Sequence, residues 1–186
     1  MNTQKHSGNN RQDNNIPNLL TTVLFIIYLI ALFWILLFKL GVHFSNMGKM
    51  RSINLIPFSQ PSILNGKTDF SEMILNVVIF VPLGLYAGIL FKRWFFFKIL
   101  FLFFSISLII EGLQFIFKLG AADITDIITN TLGGIIGFMI FELIEKLFKN
   151  SVKAQKFVNI IAAIGTVLII LFLILLKTNN PWIRYR

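Results

Sequence analysis

The sequence predicts an all-α fold, a polytopic transmembrane bundle of five helices, and three observations predict it. Apolar residues make up 56% of the 186 and charged residues 13%, whereas a water-soluble domain carries about 25% charge to face its solvent. The apolar residues gather into runs near the roughly 20 residues that span bilayer hydrocarbon, where each backbone polar group must be satisfied within its own helix. The basic residues sit in clusters at the ends of those runs, as in Lys92, Arg93 and Lys98, or Lys146, Lys149, Lys153 and Lys156. That is the positive-inside pattern of membrane proteins, and the mean hydropathy of +0.78 agrees with it.

Residues 1–17 are polar, led by Asn and Gln with single Lys, Ser and Gly residues, and lack periodicity, so they read as a disordered polar tail. The first apolar run, 19–38, outlasts the roughly 7–15 residues of a signal-peptide core and lacks a small-residue cleavage pattern at its exit, so it reads as a retained helix. The second span, 73–91, is uncharged between Glu72 and Lys92. Pro82 within it removes a backbone donor and is expected to kink the helix. The third, 99–117, is interrupted only by Glu111. The fourth, 127–141, reaches spanning length when its polar ends, 123–145, are included. The fifth, 157–176, is uncharged between Lys156 and Lys177. The expected organisation is a tail at 1–17, one membrane domain at 18–177 and a short tail at 178–186.

Five spans put the N-terminal tail and the 92–98 and 145–156 turns on one side of the membrane. The 41–72 loop, the 118–126 turn and the C-terminal tail lie on the other. Seven basic residues crowd the two short turns of the first side, while Lys118 is alone in the 118–126 turn. Short turns weigh most in setting orientation, so the N-terminus is expected inside and the C-terminus outside. The formal charge of +9 therefore points to a lipid bilayer and not to nucleic acid. With no cysteine, and with His6 and His43 far apart, neither a metal site nor a cofactor is expected.

The chemistry-bearing residues are those that break the apolar runs. An intramembrane carboxylate such as Glu111 costs about 2.5–3.5 kcal/mol at a helix centre and is a functional candidate by default. Gln114 lies three residues on, along the same face. Asp123, Asp126, Asn130, Gly133 and Gly137 fall three or four apart and make a stripe that is polar, then small. Helices two and four begin, and helix three ends, on one side of the membrane. Asn76, Glu111 and Asn130 are therefore expected within about two turns of that surface, with Asp123 and Asp126 at the mouth and Arg51 and Asn54 in the loop above. Each has a blander reading: Asp123 and Asp126 as cap and first-turn acids, Asn76 and Asn130 as interhelical hydrogen-bond glue, and the Gly133–Gly137 pair as a packing seam.

At these residues the sequence resembles the VanZ-like family of bacterial membrane proteins. The matching segments are Arg51-Ser52-Ile53-Asn54-Leu55-Ile56-Pro57-Phe58, Asn76-Val77-Val78-Ile79-Phe80-Val81-Pro82-Leu83-Gly84, Glu111-Gly112-Leu113-Gln114, and Asp123-Ile124-Thr125-Asp126 with Asn130-Thr131-Leu132-Gly133-Gly134. They occur in the family's order over residues 51–141. Many members carry an arginine just before the acidic pair. Here Ala121 and Ala122 stand in that stretch and Lys118 is the nearest cation, so that arginine's electrostatic role does not carry over.

The resemblance implies a protein of the bacterial cytoplasmic membrane. The family's founding member is associated with low-level resistance to teicoplanin, a glycopeptide bearing a lipid tail. The expected function is non-enzymatic. An outer-leaflet pocket of Arg51, Asn54, Asn76, Glu111, Gln114, Asp123, Asp126 and Asn130 would engage a lipoglycopeptide or a lipid-linked cell-wall precursor. The rival is a membrane-embedded hydrolase or transferase on a lipid head group, with Glu111 or Asp126 as the catalytic base. A third reading is a structural subunit that docks through its glycine stripe.

Overall fold

The computed structural model describes residues 19–37, 53–58, 62–64, 67–117 and 122–179. Within them lie five helices: α1 (Leu19–Leu37), α2 (Ser71–Leu90), α3 (Phe96–Ile116), α4 (Ile124–Phe148) and α5 (Ser151–Asn179). Four short strands accompany them: β1 (Ile53–Asn54), β2 (Ser62–Leu64), β3 (Lys67–Asp69) and β4 (Ala122–Asp123). Each predicted span falls on a helix. The tail expected at 1–17 lies outside the described residues, and α5 covers the first two residues of the one expected at 178–186. Helices α1 to α4 are long and apolar enough to cross a membrane, and the chain is a multi-pass membrane protein.

The register of the central helices follows from their cross-contacts. Asn76 meets Asp126, Gly84 lies against the α4 backbone at Gly134 and Gly137, and Gly88 meets Phe141. Helices α2 and α4 therefore run parallel. On α3 the order reverses, since Glu111 meets Asp123, Ser107 meets Asn130 and Phe103 meets Gly134. α3 is antiparallel to both.

The glycines of α4 make this packing possible. A methyl group at Gly133 would overlap the Val77 carbonyl oxygen, and one at Gly137 the Val81 carbonyl oxygen. A Cβ at Gly134 would stand 2.6 Å from the Phe103 ring. In lipid there is little hydrophobic drive between helices, so close backbone approach and interhelical hydrogen bonds carry the association. The glycine stripe offered by the sequence as a docking face is thus covered by α2 and α3 of the same chain. Helix α2 continues as one helix through Pro82, and one turn before it the Tyr28 hydroxyl of α1 donates to the Ile79 carbonyl at 2.8 Å.

Phe80, Leu83 and Ala87 of α2, Ile99, Phe103 and Ile110 of α3, and Leu32 and Leu36 of α1 form the main core. Phe141, Ala154 and Val158 join α4 to α5. Buried Thr21 of α1 accepts hydrogen bonds from the Gln155 and Asn159 side-chain amides of α5, each at 2.8 Å. At the end of the bundle away from Glu111, Lys92 pairs with Glu145 and donates to the Ser151 hydroxyl at 2.7 Å. The α4–α5 turn closes tightly there. Lys149 takes a left-handed φ of 49°, a common helix ending, and the Asn150 side chain caps α5 by accepting from the Val152 and Lys153 N–H groups.

Candidate functional site

The polar residues collect where α2 and α4 begin and α3 ends. Strand β1 pairs in parallel with β4, Ile53 opposite Ala122 and Asn54 opposite Asp123, which brings the 53–58 segment over the start of α4. The Asn54 side chain donates to Asp123 Oδ2 at 3.0 Å, and its own oxygen accepts from the Ile56 N–H at 3.2 Å. Asp123 is also the N-cap of α4, its Oδ1 accepting from the Thr125 N–H at 2.7 Å. The Thr125 hydroxyl accepts from the Phe58 N–H at 3.0 Å. Phe58 takes a left-handed φ of 58°, unfavourable for a bulky side chain, and this hydrogen bond helps to hold it there.

Below this rim lie the buried carboxylates. Glu111 is 3% exposed, and its Oε2 accepts the Asp123 backbone N–H at 3.1 Å. It therefore satisfies a donor that the start of α4 would otherwise leave bare. Asp126, 6% exposed, accepts from the Asn76 amide at 2.8 Å on the α2 side. One turn deeper, the Asn130 amide donates to the Ser107 hydroxyl at 3.0 Å. Asn54, Asp123 and Glu111 are thus joined directly, Asn76 and Asp126 form a pair on the α2–α4 seam, and Asn130 occupies the layer beneath. Gln114 is turned to α1, where its amide donates to the Leu36 carbonyl at 2.7 Å. Arg51 lies outside the described residues. Thr125, Ser107 and the β1–β4 pairing were not singled out by sequence. Ser107 carried the one available signal, standing one helical turn before Glu111.

A half-open groove of about 710 Å³ starts at this rim and runs between α3 and α4. Its α3 wall is Phe104, Leu108, Glu111, Gly112 and Phe115, and its α4 wall runs from Ile124 through Ile128 and Leu132 to Ile135. Asn54, Glu111 and Asp123 stand at its rim end, and the surface of the groove is almost wholly apolar. Its volume and apolar lining are those of a small-molecule site. Asp126 is not part of the groove wall, which leaves Glu111 as the candidate base that lines it. Among the described residues no group of three or more His, Asp or Glu side chains is placed to hold a metal ion.

The rim also makes a stability prediction. Asp123→Ala removes both the α4 cap, worth about 1 kcal/mol, and the Asn54 anchor, worth about another 1 kcal/mol. Asn54→Ala keeps the cap and removes the second, together with the exposed Ile56 N–H contact, which water replaces. Thermal unfolding of the purified protein in detergent is expected to rank them native, Asn54→Ala, Asp123→Ala in falling order of midpoint.

Comparison with known proteins covers the same segments. The model of the VanZ/LLP1 family matches residues 25–145, which contain every described element of the rim and groove. The chain is 37% identical over 158 residues to Protein VanZ of Enterococcus faecium, an alignment covering 84% of this chain and 92% of the relative. No solved structure matches it.

Proposed function

Because this chain belongs to the VanZ/LLP1 family, we propose that it is a non-enzymatic envelope protein that engages an amphiphile of the bacterial cytoplasmic membrane and contributes to tolerance of teicoplanin. The observation that carries this reading is the α3–α4 groove. It is apolar along its length and capped at one end by Asn54, Glu111 and Asp123. An amphiphile has the same division, with a tail that prefers hydrocarbon and a head that needs hydrogen-bond partners. Candidate occupants are the lipid portion of a lipoglycopeptide and a lipid-linked cell-wall precursor, with Asp126, Asn76 and Asn130 holding the helices that frame the site. In this reading α5 is the fifth span, the N-terminus is inside and the C-terminus outside. The mouth then opens to the outer leaflet, where antibiotic and precursor meet.

The membrane-embedded hydrolase or transferase is the second reading, supported by one observation: a buried carboxylate, Glu111, lines the groove at its rim end. Deletion of the gene tests the first reading. It is expected to lower the inhibitory concentration of teicoplanin severalfold and that of vancomycin, which lacks the lipid tail, much less. Equal sensitivity of deleted and parental strains to both antibiotics would remove the proposal.

A further inference from the structure

We infer that the α3–α4 groove holds the linear acyl tail of an amphiphile resident in the adjoining leaflet, admitted sideways from the lipid, and that Gly112 keeps the slot open. The inference rests on the amphiphile reading above and assigns its tail. The first observation is depth. The wall residues run from Phe104 to Phe115 on α3 and from Ile124 to Ile135 on α4, about three turns on each helix, or roughly 16 Å. Bilayer hydrocarbon is roughly 30 Å thick, so the slot reaches one leaflet deep and ends near the midplane.

The second observation is the direction of opening. Phe104, Leu108, Ile128 and Leu132 line the groove and are also among the exposed large apolar side chains of the bundle. In a membrane such a surface meets lipid, so a tail enters without leaving hydrocarbon. Its head would stay at the rim with Asn54, Glu111 and Asp123.

The third observation concerns Gly112. Among the described glycines of α2, α3 and α4, Gly84, Gly88, Gly133, Gly134 and Gly137 each receive a packed backbone or ring, whereas a Cβ at Gly112 meets nothing within 4 Å. Glycine inside a helix costs about 1 kcal/mol relative to alanine, and at this position no helix packing offsets that cost. Gly165 of α5 is open in the same way, so what distinguishes Gly112 is its place in the groove wall, where a side chain would take an occupant's space.

The test uses the full chain in lipid nanodiscs with a palmitoyl lysophospholipid carrying a diazirine on its tail, and labelled residues are mapped by mass spectrometry. Labelling is expected to concentrate on Leu108, Gly112, Ile128 and Leu132, above the lipid-facing Ile109, Ile160 and Ile164. Excess unlabelled palmitoyl lysophospholipid should displace it. Gly112→Leu fills open space and should keep the fold while cutting the groove signal by about tenfold, leaving Ile160 and Ile164 unchanged. Labelling spread evenly over all lipid-facing residues would overturn the inference, as would full groove labelling in Gly112→Leu. The map of the native chain decides the matter by itself if that variant fails to fold. An even map combined with a teicoplanin-sensitive deletion strain would remove the acyl slot and leave the functional reading standing.

Discussion

Gly137→Leu is expected to eliminate correctly folded protein from the membrane. A side chain at Gly137 meets the Val81 carbonyl oxygen and the Gly84 Cα, both backbone atoms of α2. A flexible side chain can rotate away from such an intrusion, but a helix backbone cannot. The only relief is separation of α2 from α4. Overpacking costs about 1–3 kcal/mol where side chains absorb it, and the cost is higher here because the whole seam must open. The Gly133 contact with Val77 and the Asn76–Asp126 hydrogen bond lie on the same seam and are strained with it. Size-exclusion chromatography of fluorescent fusions at matched expression gives the readout, with the native chain as a monodisperse peak and Gly137→Leu as aggregate or nothing. Gly165→Leu on α5, where a Cβ meets nothing within 4 Å, is the matched control and should run as native. A native peak and melting temperature for Gly137→Leu would contradict the α2–α4 register.

Glu111→Gln is expected to abolish function while sparing the fold. Glu111 receives the Asp123 N–H through Oε2, and a glutamine carbonyl oxygen at the same position accepts that hydrogen bond. The start of α4 therefore stays satisfied, and the melting temperature should move little. What disappears is the carboxylate charge at the rim end of the groove. Hydrogen bonds to charged groups contribute about 1.5–3 kcal/mol, so an amphiphile whose head donates to Glu111 loses roughly ten- to a hundredfold in affinity. In a deletion strain complemented in trans, Glu111→Gln should then leave teicoplanin tolerance at the deletion level with normal protein abundance. Glu111→Leu separates the structural share, because it leaves the Asp123 N–H without this partner at a cost of about 1–3 kcal/mol and should lower the melting temperature. Full complementation by Glu111→Gln would make the carboxylate a structural acceptor only, and would remove both the head-recognition role and the enzymatic alternative.

The helices were legible because hydropathy is a local signal. Each predicted span lies on an observed helix, and the ends differ where polar first turns, with Ser71 and Glu72, Thr125 and Asp126, or Ser151 and Lys153, begin the helix before the apolar run does. The gathering of Asn76, Glu111 and Asn130 toward one end, near Asp123 and Asp126, was legible for a similar reason, since alternating spans return every second helix end to the same surface. The pairing of Asn54 with Asp123 was not. Those residues are 69 apart in sequence and meet through a two-residue parallel strand pair, too short to leave a periodic trace. Gln114 shows the same limit. It lies one turn from Glu111, yet its partner is a backbone carbonyl of α1, because the two neighbouring positions on α3 point to different helices.

The sequence by itself determined that this chain lives in a bilayer, where its helices lie and which of their ends carry polar groups, because length, hydropathy and spacing act within one helix at a time. Only the tertiary structure decided which polar groups bond to one another, that the α4 glycines are spent on α2 and α3, and that Gly112 faces an open groove. Those outcomes depend on how closely two backbones approach, and that distance is set by the neighbour as much as by the residue itself.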